Sequence, residues 1–138
     1  MSITPAAAAI LRERFGHDTL IALATTDSIP HVRTVNAYYE DGSFYVITHA
    51  QSGKMRQLAG NPHAAICGDW FTAHGIGENM GHVSSHPALM EILRAAFASW
   101  YSNGHVNEDD PDTVILRIRL TDGVLMSNGT RYDLDFTE

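Results

Sequence analysis

The residues best suited to chemistry lie at the end of a strand-like run and the start of a helix-like one. Thr48 closes the run Ser43 to Thr48. Ser52, Gly53 and Lys54 then open a pattern (Met55, Leu58, Ala59) that stops at Gly60-Asn61-Pro62. The first turn of a helix has unpaired N–H groups and a partial positive charge. Ser52 is a natural N-cap, Gly53 permits close approach of backbone, and Lys54 adds a full charge. Thr48 offers a hydroxyl, and Arg33 can reach over from a neighbouring strand. A phosphate suits this set. The same residues also describe an ordinary helix cap with a surface lysine.

The elements that must position them follow from local pattern. Asp41-Gly42 separates two runs rich in strand formers, His31 to Tyr39 and Ser43 to Thr48, a strong hairpin signal. Strand one spans Thr19 to Thr25, and Ala64 to Cys67 is a fourth run in which Cys67 reads as a buried small residue. Thr4 caps a first helix with Pro5 at its first position. Thr72 to Val83, with Gly75, Gly77 and Gly81, reads as an irregular strand with bulges; Gly75-Ile76-Gly77 lacks the setting of a dinucleotide fingerprint. Leu89, Ile92, Leu93, Ala96, Phe97, Trp100 and Tyr101 form the apolar stripe of a long helix that starts at Ser85 or His86 and ends near Asn103-Gly104. Val114 to Leu120 alternates as a half-buried strand, Thr121-Asp122-Gly123 reads as a turn, and Asn128-Gly129 turns into a last strand. About seven strands with helices inserted at three places predict an α+β fold, an antiparallel barrel with a few peripheral helices.

Composition excludes several classes. With 138 residues, 44% hydrophobic and 18% charged, the chain reads as one globular domain over residues 1–138. A net charge of −7 argues against nucleic acid or an anionic membrane as partner. A single cysteine rules out an intrachain disulfide. Of the eight histidines, His17, His31, His49, His63 and His105 are scattered beside turns, and Pro87 disfavours a helix through His82 and His86, so no metal site is expected. Asn107 to Asp112 reads as a solvated acidic turn. The start has no basic, apolar leader pattern and no long apolar run follows, so a cytoplasmic protein is expected. There is no Gly-x-Ser-x-Gly elbow, P-loop or Ser-x-x-Lys box. A chain without an evident nucleophile or base suits chemistry carried by a cofactor.

The ordered set Arg33-Thr34-Val35, Tyr45-Val46-Ile47-Thr48, Ser52-x-Lys54 and Leu58-x-x-Asn61-Pro62 resembles the flavin-binding split barrel of the pyridoxamine 5'-phosphate oxidase-like proteins, over roughly Leu20 to Val83. The resemblance implies flavin mononucleotide (FMN) at a homodimer interface, in an oxidoreductase acting on a small-molecule redox substrate. Arg33 and Lys54 would neutralise the phosphate, Thr48 and Ser52 would donate hydrogen bonds, and the backbone of Thr34-Val35 and Val46-Ile47 would line the ring. Trp100 and Tyr101 could flank it or pack in a core. The family's oxidases often carry a second basic residue where Gly53 stands, and no basic and histidine pair for their substrate is found in Met126 to Glu138. Related barrels also serve as non-catalytic binding or stress-response proteins that hold flavin or haem, and as deazaflavin-dependent reductases, and these remain alternatives. The dimer is expected because strand three and the long helix carry more apolar surface than one barrel covers.

Overall fold

The structure, a computed structural model, describes residues 2–138. Thr4 Oγ1 accepts the Ala7 N–H at 3.2 Å and starts α1 (Pro5–Phe15). Strands β1 (Thr19–Thr26), β2 (Pro30–Glu40) and β3 (Ser43–His49) follow, then α2 (Gly53–Gly60). Strands β4 (His63–Gly68) and β5 (Phe71–His82) lead to a 3₁₀ turn (Val83–Ser85) and α3 (Pro87–Ala96). The chain ends in β6 (Thr113–Ser127) and β7 (Thr130–Asp135).

The sheet order is β3-β2-β1-β4-β5-β6-β7, and β3 also pairs with β6. All pairings are antiparallel. Six strands therefore close into a barrel, and β7 extends β6 beyond it. This is the α+β split barrel expected from the sequence. The β2–β3 turn works because Asp41 and Gly42 both take positive φ, 46° and 85°, as a two-residue hairpin turn requires.

Two apolar clusters hold the molecule. Inside the barrel, Phe15 of α1 meets Phe44 at 5.6 Å and Phe71 at 5.5 Å between ring centroids. Leu11, Leu23, Val46, Met55, Leu58 and Leu116 complete this core. Phe15 is 1% exposed; truncation to alanine at such a site costs about 3–5 kcal/mol. Outside the barrel, Val83, Met90, Leu93, Phe97, Tyr101 and Ile115 form a second cluster, against which Tyr45 and Ile47 of β3 pack.

That second cluster changes the basis of the dimer expectation. The outer face of β3 and the apolar stripe of α3 cover each other. Exposed apolar side chains remain on β1 and β2, where Leu20 is 64% exposed and Val32 70%, and at Trp70 in the β4–β5 turn.

Other expectations are corrected. The long helix stops at Ala96, with Phe97 as its C-cap. Trp100 lies outside any helix, Tyr101 opens a separate five-residue π turn (Tyr101–His105), and Gly104 breaks that turn with φ 99°. Asp122-Gly123 is no turn: β6 runs through it, and the register shift opposite His74/Gly75 leaves Thr121 as the extra residue of a bulge. Cys67 is exposed, because Ala64 and Ile66 take the inward positions of β4. The irregular strand is confirmed as β5 with two register shifts. Its Gly77 is needed for packing: a Cβ there would lie 2.8 Å from Leu58 Cδ2 of α2.

Candidate functional site

The barrel is split along one seam. β2 pairs with β3 only from Tyr38↔Tyr45 to Glu40↔Ser43. Before Tyr38, β2 pairs only with β1, and from Val46 onward β3 pairs only with β6. The strands diverge because β3 follows β6. Backbone edges of Val35-Asn36 and Val46-Ile47 therefore face a gap with no ladder between them.

A cleft of about 460 Å³ occupies this gap. It is lined by Val35, Asn36, Val46, Ile47, Lys54, Trp100, His105 and Val106. Four of the eight expected residues thus share one cavity. Apolar walls with a few polar groups among them are usual for a small-molecule site. A larger recess, about 780 Å³ between α1 and β6–β7, contains none of the expected residues.

The other four are placed as follows. Arg33 is next to the cleft but tied into the protein. Its Nη1 donates to Leu23 O at 3.1 Å and Thr25 Oγ1 at 2.7 Å, and its Nη2 to Gln57 Oε1 at 2.8 Å. A guanidinium has five N–H donors, so Nε–H and one Nη2–H have no acceptor among the described residues. Thr34 is exposed on the face of β2 that carries Asn36, away from Arg33 and Val35. Thr48 lines a smaller adjoining recess with His49, His105 and Asp110. Ser52 stands at the N-cap of α2, but its side chain makes no capping bond. Its Oγ is buried without a hydrogen-bond partner.

The electrostatics of this end are unusual. Lys54 is half-buried, and no carboxylate pairs with it among the described residues. Desolvation, and then the Arg33 charge, push its ammonium below the ordinary lysine range. Burial also lowers Arg33. Two cations and an orphaned hydroxyl gathered at a helix N-terminus suit an incoming dianion, which would satisfy all three. A flavin phosphate fits these donors, and the apolar walls fit a planar ring.

Several contributors were not legible in the sequence. Asn36 is the exception: as a polar residue in a strand expected to be mostly buried it calls for a partner, and the structure gives it Asp18 and a place in the cleft wall. Gln57 lies three residues after Lys54 on α2, a spacing that puts both on neighbouring positions of the helix. Thr25, His105 and Val106 carry no local signal. Trp100 lines the cleft, as one of its two sequence readings had it. Tyr101 packs in the second cluster, as its other reading had it. His49 Nε2 lies 3.4 Å from Asp110 and 3.8 Å from Asp112 in an exposed group. Those three residues could hold a metal ion, although the sequence reads the loop that carries Asp110 and Asp112 as a solvated turn.

Comparison with known proteins defines the class. The family model of pyridoxamine 5'-phosphate oxidase matches residues 3–126, and the chain belongs to that family. No curated protein matches the chain. Solved structures share the fold at low identity. General Stress Protein 26 from Bacillus anthracis str. Sterne is 16% identical, with TM-score 0.69, over 93% of this chain and 98% of that one. An FAD-binding protein from Mesorhizobium loti is 14% identical, with TM-score 0.66, over 93% and 95%. A heme-binding protein from Mycobacterium smegmatis is 18% identical, with TM-score 0.70, over 98% of this chain and 60% of that one. No helix among the described residues is long and apolar enough to cross a membrane.

Proposed function

We propose that this protein binds flavin mononucleotide in the seam cleft and works in the cytoplasm as a homodimeric oxidoreductase on a small redox substrate. The observation that carries the reading is the unpaired cationic end of the cleft. Lys54, the two spare N–H groups of Arg33 and the orphaned Ser52 Oγ make a phosphate site without a competing carboxylate. Val35, Val46, Ile47 and Trp100 supply walls for a ring, and the free strand edges supply backbone donors and acceptors. A bound flavin would supply the electron transfer; the chain's own residues bind it, orient it and shield it from water. FAD binding by a protein of the same fold supports a flavin here.

The second copy would sit on the β2-β1-β4 face. There Ala24 pairs with Val32, Ala22 with Thr34 and Leu20 with Asn36, so these side chains share one surface. β1 has no charged residue, and Asn36 continues this surface into the cleft.

Purified protein should show flavin absorption bands, and heat should release FMN. A sharp Soret band would favour haem, and a deazaflavin extract would favour the reductase alternative. Light scattering should give a dimer at micromolar concentration, and Val32→Glu should give a monomer. A monomeric wild-type protein would overturn the dimer.

A further inference from the structure

The indole wall of the cleft is fastened from behind. Asp18 lies between α1 and β1 and is half-buried. Its Oδ2 accepts the Trp100 Nε1–H at 2.9 Å, and its Oδ1 accepts the Asn36 Nδ2–H at 3.0 Å. Both donors line the cleft. No cation pairs with Asp18 among the described residues, so two neutral donors engage its two oxygens. A charged acceptor holds such donors more strongly than a neutral one.

Trp100 needs that hold. α3 has already ended at Ala96, and Trp100 sits at φ −132°, ψ −10° with no strand ladder to fix it. One neighbour is the Phe97 ring, 5.0 Å away and tilted 33°. Phe97 restricts where the indole lies, and the bond to Asp18 sets how the ring is turned. An indole has a single N–H, so this one bond defines its rotation. Asn36 holds the other carboxylate oxygen and keeps Asp18 aimed.

We infer that Asp18 is a positioning residue for the cofactor cleft: through its bond to Trp100 it fixes the indole as the aromatic wall against which a planar heteroaromatic ring packs. This rests on the flavin reading above. It assigns ring recognition to Asp18 and Trp100, apart from phosphate recognition at Lys54. Aromatic rings gain from offset or tilted packing at defined separations, so a free-turning indole would bind the ring less well.

The protein has two tryptophans, and Trp70 is 73% exposed. In a Trp70→Phe background, Trp100 is therefore the only indole emitter. In cofactor-free protein, Asp18→Ala should shift Trp100 emission to the red and increase its quenching by acrylamide. Asp18→Asn keeps one acceptor oxygen and should give an intermediate result; it also serves where the alanine variant fails to fold. In flavin titrations Asp18→Ala should weaken FMN and riboflavin by the same five- to tenfold, because the ring is common to both. In a Trp100→Phe background, Asp18→Ala should cause no further loss. Unchanged emission, or an equal additional loss in the Trp100→Phe background, would overturn the assignment. Failure of the Trp70→Phe parent to bind either flavin would overturn the flavin reading and the ligand assigned here. The emission result would still decide whether Asp18 orients Trp100.

Discussion

Arg94 and Lys54 are both partly exposed cations on short helices, and the protein treats them in opposite ways. Arg94 of α3 is paired with a carboxylate. Its Nε and Nη2 donate to Glu108 at 2.9 and 2.7 Å, and the Tyr101 hydroxyl donates to the same carboxylate at 2.6 Å. The Arg94 and Tyr101 bonds hold the Glu108 carboxyl down to about 2, and Arg94 itself is raised. Lys54 of α2 has a second cation for a neighbour and a buried hydroxyl with no partner nearby. The first arrangement is complete within the chain and braces the loop that carries His105 and Val106. The second has no carboxylate partner among the described residues, and it is there that we propose an anion binds.

Lys54→Ala separates the two cations most clearly. A charge-assisted bond to phosphate is worth roughly 1.5–3 kcal/mol. FMN affinity should fall by about ten- to a hundredfold, since about 1.4 kcal/mol is tenfold. Riboflavin has no phosphate and should bind as before. Equal losses in a fluorescence titration of the two flavins would return Lys54 to the status of a surface lysine.

Acid and alkali should separate the two clusters. The folded-state pKa of Glu108 lies below its unfolded value, so its contribution is fully present above the ordinary value of 4.5 and is lost as pH falls towards about 2. Denaturant midpoints of Glu108→Gln should lack that acid-side component. Lys54 is a base with a lowered folded-state pKa. The unfolded chain therefore holds more protons on the approach to the ordinary 10.5, and stability gains from Lys54 as pH rises through that window. FMN affinity should fall over the same alkaline range, while riboflavin affinity should not. A flat FMN profile would mean that the ammonium does not meet the phosphate.

Without cofactor, the stability effects should have opposite signs. Lys54→Met removes an unpaired, half-buried charge and should stabilise the apo protein by up to about 1 kcal/mol. Arg94→Met removes an exposed but bidentate pair and should destabilise by at most about 1 kcal/mol. Thermal melts of both variants, scanned free of flavin, would test this; a destabilised Lys54→Met would contradict the account of Lys54.

The smallest expected change is a gain. A Cβ on Gly53 would meet nothing nearer than Gln57 Nε2 at 3.8 Å. Gly53→Arg should therefore fold normally and tighten FMN a few-fold, again without effect on riboflavin. A loss of FMN affinity would show that the backbone at this position must approach the ligand.

Legibility in the sequence tracked how local the cause was. Asp41-Gly42 and Thr4-Pro5 act within a few residues, and the structure has the hairpin and the helix start where they predict. The cationic end was readable because Ser52 and Lys54 belong to one helix turn. The seam was not. Nothing in Val35 or Val46 says that β2 and β3 part after three pairs; the cause is β6, far along the chain, which draws β3 away. The α3 stripe misled for a similar reason. Its apolar spacing continues through Trp100 and Tyr101, but their polar atoms are claimed by Asp18 and Glu108, and periodicity cannot register a partner in another element. The bulge at Thr121 needed the compensating shift in β5. A short apolar run concealed the alternation that turns Cys67 outward.

The pairing of β3 with β6 also governs how the chain acquires its shape. Ser43 waits for Arg119, and Ser2 for Asp135. Hairpins β1–β2 and β2–β3 can form early from near neighbours, but the ring cannot close until the last third of the chain is available. Closure by such distant contacts slows folding, because the entropy of a long loop is lost before the contact is gained. During synthesis the free edge of β3 stays unpaired until β6 arrives, and an unpaired edge is a template for another chain. The nascent barrel is therefore most exposed to mispairing at the strand that later forms one side of its cleft.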